Sequence, residues 1–413
     1  MSPAAPAEVV TDLADPVMFT DPWPRYAALR RTAPVSRVRS KQLLRGGGGM
    51  GYLVTRYDDV LQVHTDPRLS SDLLAHTRAG SFIRFAPRVM RLLTDSMVFK
   101  DDPDHKRLRG LVNKAFTPKR VAQMSEHIEK VVHELLDEIG RRDEVDLVTD
   151  FATPLPLRVI SEMMGVSQAD RHDFHRWVER FTEAQADGAV ALLRAMPTGR
   201  KMMRLFDRLA AERRVDPDDG LITALVRAQE DGDQLDDDEV VAMIFLLLLA
   251  GHDTTANLIG SSLVALREHP DQLERLRSEP GIVESAIEEL LRFTTPVPCG
   301  ASRVATEDIE IGGSVVPKGS LVLGMIISAN RDETVFDRPD DLDLGRQPNR
   351  HLTFAFGAHY CLGNQLARLE ARIAIPALFE RFPDIRVAVP HDQLAFKPTQ
   401  SLRGYRHLPV RLR

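Results

Sequence analysis

Apolar residues recur at helical spacing through most of the chain, from about residue 57 to residue 293. The clearest helical segments are 121–140, 155–164 and 171–184. Short runs rich in β-branched residues, which indicate strands, lie near the two ends of the chain, at 52–55, 309–311, 321–326 and 385–389. The pattern therefore predicts a mainly α fold with small peripheral β-sheets, of the α+β class.

The longest predicted helix spans residues 237–268, which at 1.5 Å per residue is about 45–50 Å, enough to cross the molecule. Its first half is apolar nearly all round, as in a buried helix. The segment 250–255, with the sequence AGHDTT, then places polar side chains in the middle. Burying them without partners costs several kcal/mol. Two interpretations are open: a functional site, or a kink whose threonine hydroxyls bond to carbonyls one turn earlier.

A second informative segment is 354–363, FAFGAHYCLG, in which Cys361 lies between Gly357 and Gly363. An amphipathic helix pattern follows at 364–380. The partial positive charge of a helix N-terminus lowers the pKa of a nearby thiol, and glycines let backbone N–H groups approach the sulfur. These features suit a thiolate that binds a metal. The alternative is a buried structural cysteine, which is common for an isolated cysteine.

Two pairs of charged residues have helical spacing. His105 and Arg109 are four residues apart, and Glu289 and Arg292 are three apart, so each pair lies on one face of its predicted helix. Taken alone this is weak evidence for a site, because most such pairs are solvated ion pairs of little energetic value.

These four segments, in the order in which they occur along the chain (105–109, 250–255, 289–292 and 354–363), resemble the motifs of the cytochromes P-450, the haem-thiolate monooxygenases. The resemblance covers essentially the whole chain and implies a single domain, 1–413. It implies the fold of that family, with haem b (iron protoporphyrin IX) between the central helix and the helix that follows the cysteine loop. By this resemblance Cys361 is the metal ligand, and the residues that bind the haem propionates are His105, Arg109, Arg303 and His359.

The resemblance also implies roles for the polar segment of the central helix. Thr254 and Asp253 are expected to deliver protons during oxygen activation and form the catalytic pair. Glu289 and Arg292 correspond to the family's Glu-x-x-Arg pair, which is expected to bind Arg346 and to have a structural role.

Two positions depart from the family pattern. Ala355 stands where the family usually has glycine, and Leu342 stands where it often has phenylalanine. Because alanine is small, we expect little consequence at residue 355 unless its φ angle is positive.

By analogy of position, several residues are expected to contact substrate. They are Phe82, Phe85, Met97, Leu246, Leu249, Ala250, Val297, Cys299 and Ser401. Their mostly apolar character favours a hydrophobic ligand such as a terpenoid, steroid, fatty acyl chain or polyketide. For each of them, ordinary core packing is an equally good explanation.

Composition limits the classes of partner and the cellular location that are expected. The net charge of −6 and the absence of a basic stripe give no support for a nucleic-acid partner. Two cysteines exclude a disulfide framework and favour a reducing cytoplasm. The longest apolar run, 240–250, is well short of the roughly 20 residues that span a bilayer. We therefore expect a soluble, cytoplasmic monomer.

The resemblance implies a monooxygenase that uses O2 to hydroxylate or epoxidise a hydrophobic small molecule, in secondary metabolism. Because the chain has no convincing flavin or nicotinamide site, electrons should come from a separate ferredoxin and its reductase. We expect that donor to dock near Arg107, Lys114 and Arg368. The alternatives are a peroxide-driven oxygenase on the same scaffold and a haem sensor or carrier without turnover.

Overall fold

The computed structural model of the chain describes residues 10–40, 49–76, 88, 91, 96–167, 169–171, 173–174, 176–178, 180, 189–218, 220–230, 236–397 and 399–413. Helices make up most of these residues and the sheets are small, which confirms the predicted fold class.

The longer helices account for most of the packed interior. Those of nine or more residues are α1 (Trp23–Thr32), α2 (Tyr57–Thr65), α3 (Asp104–Ala115), α4 (Ser125–Ile139), α5 (Pro154–Met163), α6 (Ala189–Val215), α7 (Leu221–Glu230), α8 (Asp237–Glu268), α9 (Pro270–Ser278), α10 (Val283–Thr294) and α11 (Asn364–Arg381). Shorter helices are Val17–Thr20, Leu73–His76, Pro118–Gln123 and Ile326–Ala329. The segment predicted as one helix at 121–140 is divided, because Pro118–Gln123 has its own cap, in which the Thr117 side chain accepts from the Arg120 N–H.

The strands form three small sheets. They are β1 (Val10–Asp12), β2 (Val35–Arg39), β3 (Met50–Val54), β4 (Leu69–Ser70), β5 (Glu144–Asp146), β6 (Arg303–Ala305), β7 (Ile309–Ile311), β8 (Ser314–Val316), β9 (Leu321–Gly324), β10 (Arg386–Val387) and β11 (Pro409–Arg411). The six-stranded sheet has the order β1-β2-β3-β9-β6-β4, with β1–β2 and β3–β9 parallel. Tyr52 pairs with Val322, so the two ends of the chain are joined here. A second sheet has the order β10-β11-β5, and β7 and β8 form a hairpin.

The central helix α8 begins and ends where the sequence predicts. Asp236 caps its N-terminus: the Asp236 carboxylate accepts from the Glu239 N–H at 2.6 Å, and the Glu239 carboxylate accepts from the Asp236 N–H at 3.1 Å. This reciprocal capping box satisfies donors that a helix start leaves free. The first half of α8 packs with α5, α6 and α7, and the second half packs with α10 and α11 in a hydrophobic cluster that also includes α4. The helix therefore belongs to two extensive hydrophobic clusters.

In the described parts of the chain, α8 is also the one helix long and apolar enough to cross a membrane. Its most apolar window is 67% buried inside the protein. Burial of this kind is what a core helix requires, and it accounts for the apolar composition without a bilayer.

Candidate active site

The cysteine loop is fixed by backbone contacts on both sides of the sulfur. Cys361 follows the 3₁₀ turn Gly357–His359 and precedes α11. Its N–H donates to the carbonyl of Phe354 at 2.9 Å, and its carbonyl accepts from the Asn364 side chain at 2.7 Å. Gly357 has a φ of +73°, and a Cβ at this position would lie 3.0 Å from the carbonyl oxygen of His64. Glycine is therefore needed there for both conformation and space.

Ala355 has a φ of +57°. This is the left-handed region, where a residue with a Cβ is strained by about 1 kcal/mol. The condition under which we expected a consequence is therefore met, and the alanine strains the loop that carries the cysteine.

The two cysteines have different surroundings. Cys299 is 4% exposed in a hydrophobic cluster, and burial raises its pKa to about 12. Burial also raises the pKa of Cys361, whereas the Gly363 N–H and the positive charges of Arg109 and Arg368 act in the opposite direction. The net pKa of Cys361 is raised, contrary to the lowering that a helix N-terminus alone predicts. A metal cation coordinated by the sulfur would add the positive charge that deprotonates such a thiol.

The polar side chains of α8 have partners. The Thr254 hydroxyl donates to the carbonyl of Ala250 at 2.9 Å, which is the contact expected from the kink interpretation. Asp253 Oδ1 lies 2.9 Å from Lys397 Nζ, and Asp253 Oδ2 lies 3.6 Å from His252 Nε2. A cation from the far C-terminal part of the chain thus compensates for burial of the acid.

One side of α8 is accessible at the level of this polar segment. Leu246, Leu249, Ala250 and Thr254 keep accessible surface, although most residues of the helix around them are buried. Residues 246, 250 and 254 are four positions apart and share one face of the helix. The central helix therefore presents an apolar surface that ends in a threonine.

A second polar group, which we call the basic cluster, consists of His105, Arg109, Arg303 and His359. The first two lie on α3, Arg303 begins β6, and His359 lies in the cysteine loop. The ring centroids of His105 and His359 are 4.1 Å apart. Arg109 donates to the carbonyl of Tyr360 at 2.6 Å, directly beside the cysteine. The structure therefore brings together four side chains from three separate segments.

The basic cluster has two buried nitrogens that no described residue satisfies, and the Nε–H of Arg303 is a donor. Nε2 of His105 and Nε of Arg303 are buried and have no hydrogen-bond partner among the residues that the structure describes. Burial lowers the pKa of Arg303, and the nearby Asp101 only partly opposes this. Burial, with the positive charges of Arg303 and His105, lowers the pKa of His359 to about 3. Because buried unpaired donors are destabilising, this arrangement fits an anionic group placed against it.

The sequence profile of the family described as Cytochrome P450 matches residues 61–400. The chain belongs to the cytochrome P450 family.

This P450 is 42% identical over 407 residues to Cytochrome P450 107B1 of Saccharopolyspora erythraea, with 96% of each chain covered. It is 38% identical to the 6-deoxyerythronolide B hydroxylase of the same organism, over 98% of this chain and 99% of that protein. The solved structure of PksS from the bacillaene polyketide synthase of Bacillus subtilis matches with a TM-score of 0.87 and 36% identity, covering 97% of this chain and 98% of that one. The protein is a cytochrome P450 monooxygenase with haem b as its cofactor.

The residues present fit haem b. Its two propionates are carboxylates, which are the acceptors that the buried Nε–H of Arg303 lacks among the described residues. A thiol beside Arg109 in a glycine-bounded loop fits the iron. The assignment of Cys361 to the iron and of the basic cluster to the propionates stays a prediction that this geometry supports.

The Glu-x-x-Arg pair forms the buried network that we predicted, here called the Glu289 cluster (Glu289, Arg292 and Arg346). Arg292 donates to both carboxylate oxygens of Glu289 at 2.8 Å, and Arg346 Nε donates to the same carboxylate at 3.0 and 3.1 Å. Asn349 adds a further hydrogen bond at 3.1 Å. Glu289 and Arg292 are both 0% exposed. The predicted link to Arg346 is therefore confirmed.

The residues that we predicted to contact substrate fall into distinct surroundings. Leu246, Leu249 and Ala250 lie on the accessible side of α8. Met97 (6% exposed) and Cys299 (4% exposed) are packed in hydrophobic clusters, as the core-packing explanation requires. Val297 is half-buried, Ser401 is exposed with its hydroxyl 2.9 Å from that of Thr399, and Phe82 and Phe85 lie outside the described residues. Their roles toward substrate stay predictions.

The cations predicted to bind the electron donor have partners within the protein. Arg107 binds Glu239 through both guanidinium Nη atoms, and Arg368 binds Glu288 at 2.7 and 2.8 Å. The side chain of Lys114 lies outside the described residues. Charges already neutralised by an ion pair attract an acidic partner less strongly, so the structure weakens this part of the docking hypothesis.

Two polar residues of the site were not found from the sequence. Lys397 is 144 residues from Asp253, and no local pattern connects them. Glu370 is fully buried on α11 and hydrogen-bonds with Thr255, and burial raises its pKa to about 8. A signal for Glu370 existed, because it follows the buried Leu366 by four positions and so lies on the apolar face of its helix.

Proposed function

We propose that this P450 hydroxylates or epoxidises a hydrophobic product of secondary metabolism, of polyketide type, with electrons from a separate ferredoxin and its reductase. The observation that carries the proposal is the accessible face of α8, where Leu246, Leu249 and Ala250 adjoin Thr254. An apolar surface next to a hydroxyl suits a hydrophobic substrate held close to the site of oxygen chemistry. Two of the relatives are named as a 6-deoxyerythronolide B hydroxylase and a polyketide biosynthesis P450.

Haem b, when bound, supplies the redox chemistry that splits dioxygen between substrate and water. The protein's part is to hold the cofactor, through Cys361 and the basic cluster, and to manage protons. Thr254 donates its own hydroxyl proton to Ala250, so its oxygen is left as an acceptor for a water molecule on the accessible face. Asp253, one residue away, is the acid that would pass protons toward that water.

Domain organisation, oligomeric state and location are also part of the proposal. We propose one domain over 1–413, a monomer, and a cytoplasmic location. Support comes from relatives that match along nearly the whole chain and from the two cysteines, neither of which is in a disulfide.

The proposal is tested by reconstitution with a bacterial ferredoxin, its reductase and NADPH under labelled dioxygen. Candidate substrates are first screened for a spin-state change of the haem, using a macrolactone, a terpenoid, a steroid and a fatty acid. We expect the macrolactone class to bind best, and one labelled oxygen atom to enter the product only when ferredoxin is present. Turnover with hydrogen peroxide alone would instead favour the peroxide-driven oxygenase, and binding without turnover under either condition would favour a sensor or carrier.

The variant Thr254→Ala tests the proton-delivery part. We expect NADPH consumption to continue while product falls and hydrogen peroxide rises, because protons no longer reach the oxygen in time. Unchanged product per NADPH would contradict the role of Thr254.

A further inference from the structure

Lys397 contacts the acid of the central helix from a distant part of the chain. Its Nζ lies 2.9 Å from Asp253 Oδ1, and the two side chains are 21% and 8% exposed. This is a largely desolvated ion pair, in which removal of one partner leaves an uncompensated buried charge.

The backbone around Lys397 is held in place. Its N–H donates to the carbonyl of Gly404 at 2.8 Å, and the Arg406 N–H donates to the carbonyl of Ala395 at 2.8 Å. The flanking rings of Phe396 and Tyr405 are stacked with centroids 4.7 Å apart. These contacts make a hairpin, whose described residues are 395–397 and 399–406, and we call it the C-terminal hairpin.

The C-terminal hairpin packs directly on α8. A Cβ at Gly404 would clash with the side chain of Asn257, so glycine lets the hairpin backbone lie directly against that side chain. Asn257 is four positions after Asp253 and lies on the same helix face. The ion pair is therefore one of two adjacent contacts between the hairpin and the oxygen-activating part of the helix.

The charges around Asp253 can be accounted for in the described structure. Burial raises the pKa of Asp253, His252 and Lys397 lower it, and the net pKa is below the ordinary value. His252 approaches through Nε2 at 3.6 Å, while its Nδ1 is 2.9 Å from the carbonyl of Leu248. Glu370, on α11, bonds with Thr255 and not with Asp253. Among the described residues, Lys397 is thus the one cation in direct hydrogen-bond contact with the acid.

We propose that Lys397 is a positioning residue for proton delivery, which fixes the Asp253 carboxylate in its ionised form beside Thr254. The proposal rests on the proposed function, in which Asp253 takes a proton from solvent and passes it on, so that the carboxylate is regenerated in each cycle. The ion pair opens when the carboxylate takes up the proton and closes when the proton leaves. Lys397 acts through Asp253 in this role and does not itself contact substrate or cofactor.

The test compares the haem-loaded wild type with Lys397→Met, Lys397→Arg, Asp253→Asn and the double variant Asp253→Asn/Lys397→Met. Product and peroxide per NADPH are measured from pH 6 to pH 9. We expect Lys397→Met to lower product per NADPH at least threefold at pH 6, with KM within twofold, and to introduce a pH-dependent step with lower values on the acid side, where the unpaired carboxyl keeps its proton and cannot take up another from solvent. Product per NADPH should not depend on pH in the wild type, and Lys397→Arg should restore that flat profile. The double variant should yield no less product per NADPH than Asp253→Asn.

A second measurement does not depend on turnover. Denaturant unfolding of Lys397→Met and wild type is compared at pH 5 and pH 8. An unpaired buried carboxyl has a raised pKa in the folded state, so Lys397→Met should lose stability as pH rises through this range. The ratio of its unfolding equilibrium constant to that of wild type should be at least fivefold larger at pH 8 than at pH 5. Lys130→Met, which removes an exposed ion pair with Glu134, is the matched control and should show no such trend.

The outcomes separate the two proposals. If Asp253→Asn leaves product per NADPH unchanged, the proposed proton role of Asp253 is wrong. If Asp253→Asn impairs coupling while Lys397→Met matches wild type in coupling, pH profile and unfolding, the inference about Lys397 is wrong and the contact is only structural.

Discussion

Two buried charge clusters in this P450 differ in one respect that explains their roles. In the Glu289 cluster, a carboxylate meets two guanidinium groups, an amide and the Asp343 N–H, all at 2.8–3.1 Å. In the basic cluster, Asp102 lies near His105 and Asp101 near Arg303, but the buried Nε–H of Arg303 has no hydrogen-bond partner in the described structure. The first cluster is complete within the chain. We propose that the propionates of haem complete the second.

This difference teaches how to separate structural charges from binding charges. Burial alone does not do so, because Arg292 and Arg303 are both almost fully buried. The two kinds of charge are separated by whether their hydrogen-bonding groups have partners, because a buried donor left unpaired is destabilising unless a ligand binds there.

The largest effect should come from breaking the complete cluster. Arg292→Met leaves the Glu289 carboxylate buried with fewer partners, and we expect the free energy of unfolding to fall by about 3–5 kcal/mol. Urea unfolding measures this with and without haem, and the loss should be similar in both forms. Arg346→Lys, a milder change, provides a readout if Arg292→Met does not fold. A loss confined to the haem-bound form would contradict the structural role.

The basic cluster should respond in the opposite way. Arg303→Met removes a buried guanidinium whose burial Asp101 only partly offsets and whose Nε has no hydrogen-bond partner among the described residues, so the haem-free protein should be as stable as wild type or slightly more stable. The haem-bound form should lose a charged hydrogen bond of about 1.5–3 kcal/mol, seen as roughly 10–100-fold faster haem loss to an acceptor protein.

The exposed Arg31→Met is the control for this experiment and should change neither quantity, because Arg31 is 62% exposed and its ion pair is weak. If Arg303→Met destabilises the haem-free protein as strongly as Arg292→Met, the distinction between the two clusters fails.

Glu370 differs from both clusters, because it is a buried acid for which the described residues provide a Thr255 hydrogen bond and no cation. Burial raises its pKa from 4.5 to about 8, so the unfolded chain ionises first as pH rises, and stability falls between these values. Glu370→Gln should remove that fall and make the protein more stable than wild type at pH 8 by on the order of 1 kcal/mol or more. Denaturant unfolding of wild type and Glu370→Gln at pH 5 and pH 8 tests this. If the free energy of unfolding changes with pH by the same amount in both proteins, the prediction is wrong.

The smallest expected effect concerns the cysteine loop between the clusters. Ala355→Gly relieves a left-handed φ of +57°. The relief of about 1 kcal/mol is partly offset by the greater freedom of glycine in the unfolded chain, so the net gain should be about 0.5 kcal/mol. Thermal unfolding measures it, with Ala358→Gly in the same loop as the control. A loss of stability would show that the conformation is not strained.

Much of the fold could be predicted from the sequence, because its signals are local. The central helix begins at Asp237 because a capping box lies at its start, and it has the predicted length. Strands such as Ile309–Ile311 agree to the residue. The break at Met124 was not predicted, because the apolar periodicity continues across it while the side-chain cap at Thr117 starts a separate helix.

The site was predictable only where residue spacing or family motifs mark it. His105, Arg303 and His359 do meet, but their unpaired atoms could not be seen without the fold. The ion pair of Asp253 with Lys397 joins segments with no shared pattern. The pKa of Cys361 depends on burial, which raises it, and on the Gly363 N–H, Arg109 and Arg368, which lower it, and this balance could not be seen without the fold.

The central claim is that Cys361 binds the iron of a haem whose propionates complete the basic cluster. The most direct measurement is the absorption spectrum of the reduced, carbon-monoxide-bound protein, alongside Cys361→His and Cys299→Ser. We predict a main band shifted strongly to the red in wild type and in Cys299→Ser, and its loss in Cys361→His. A histidine-type band in the wild type, or a colourless protein from cells well supplied with haem, would contradict the account.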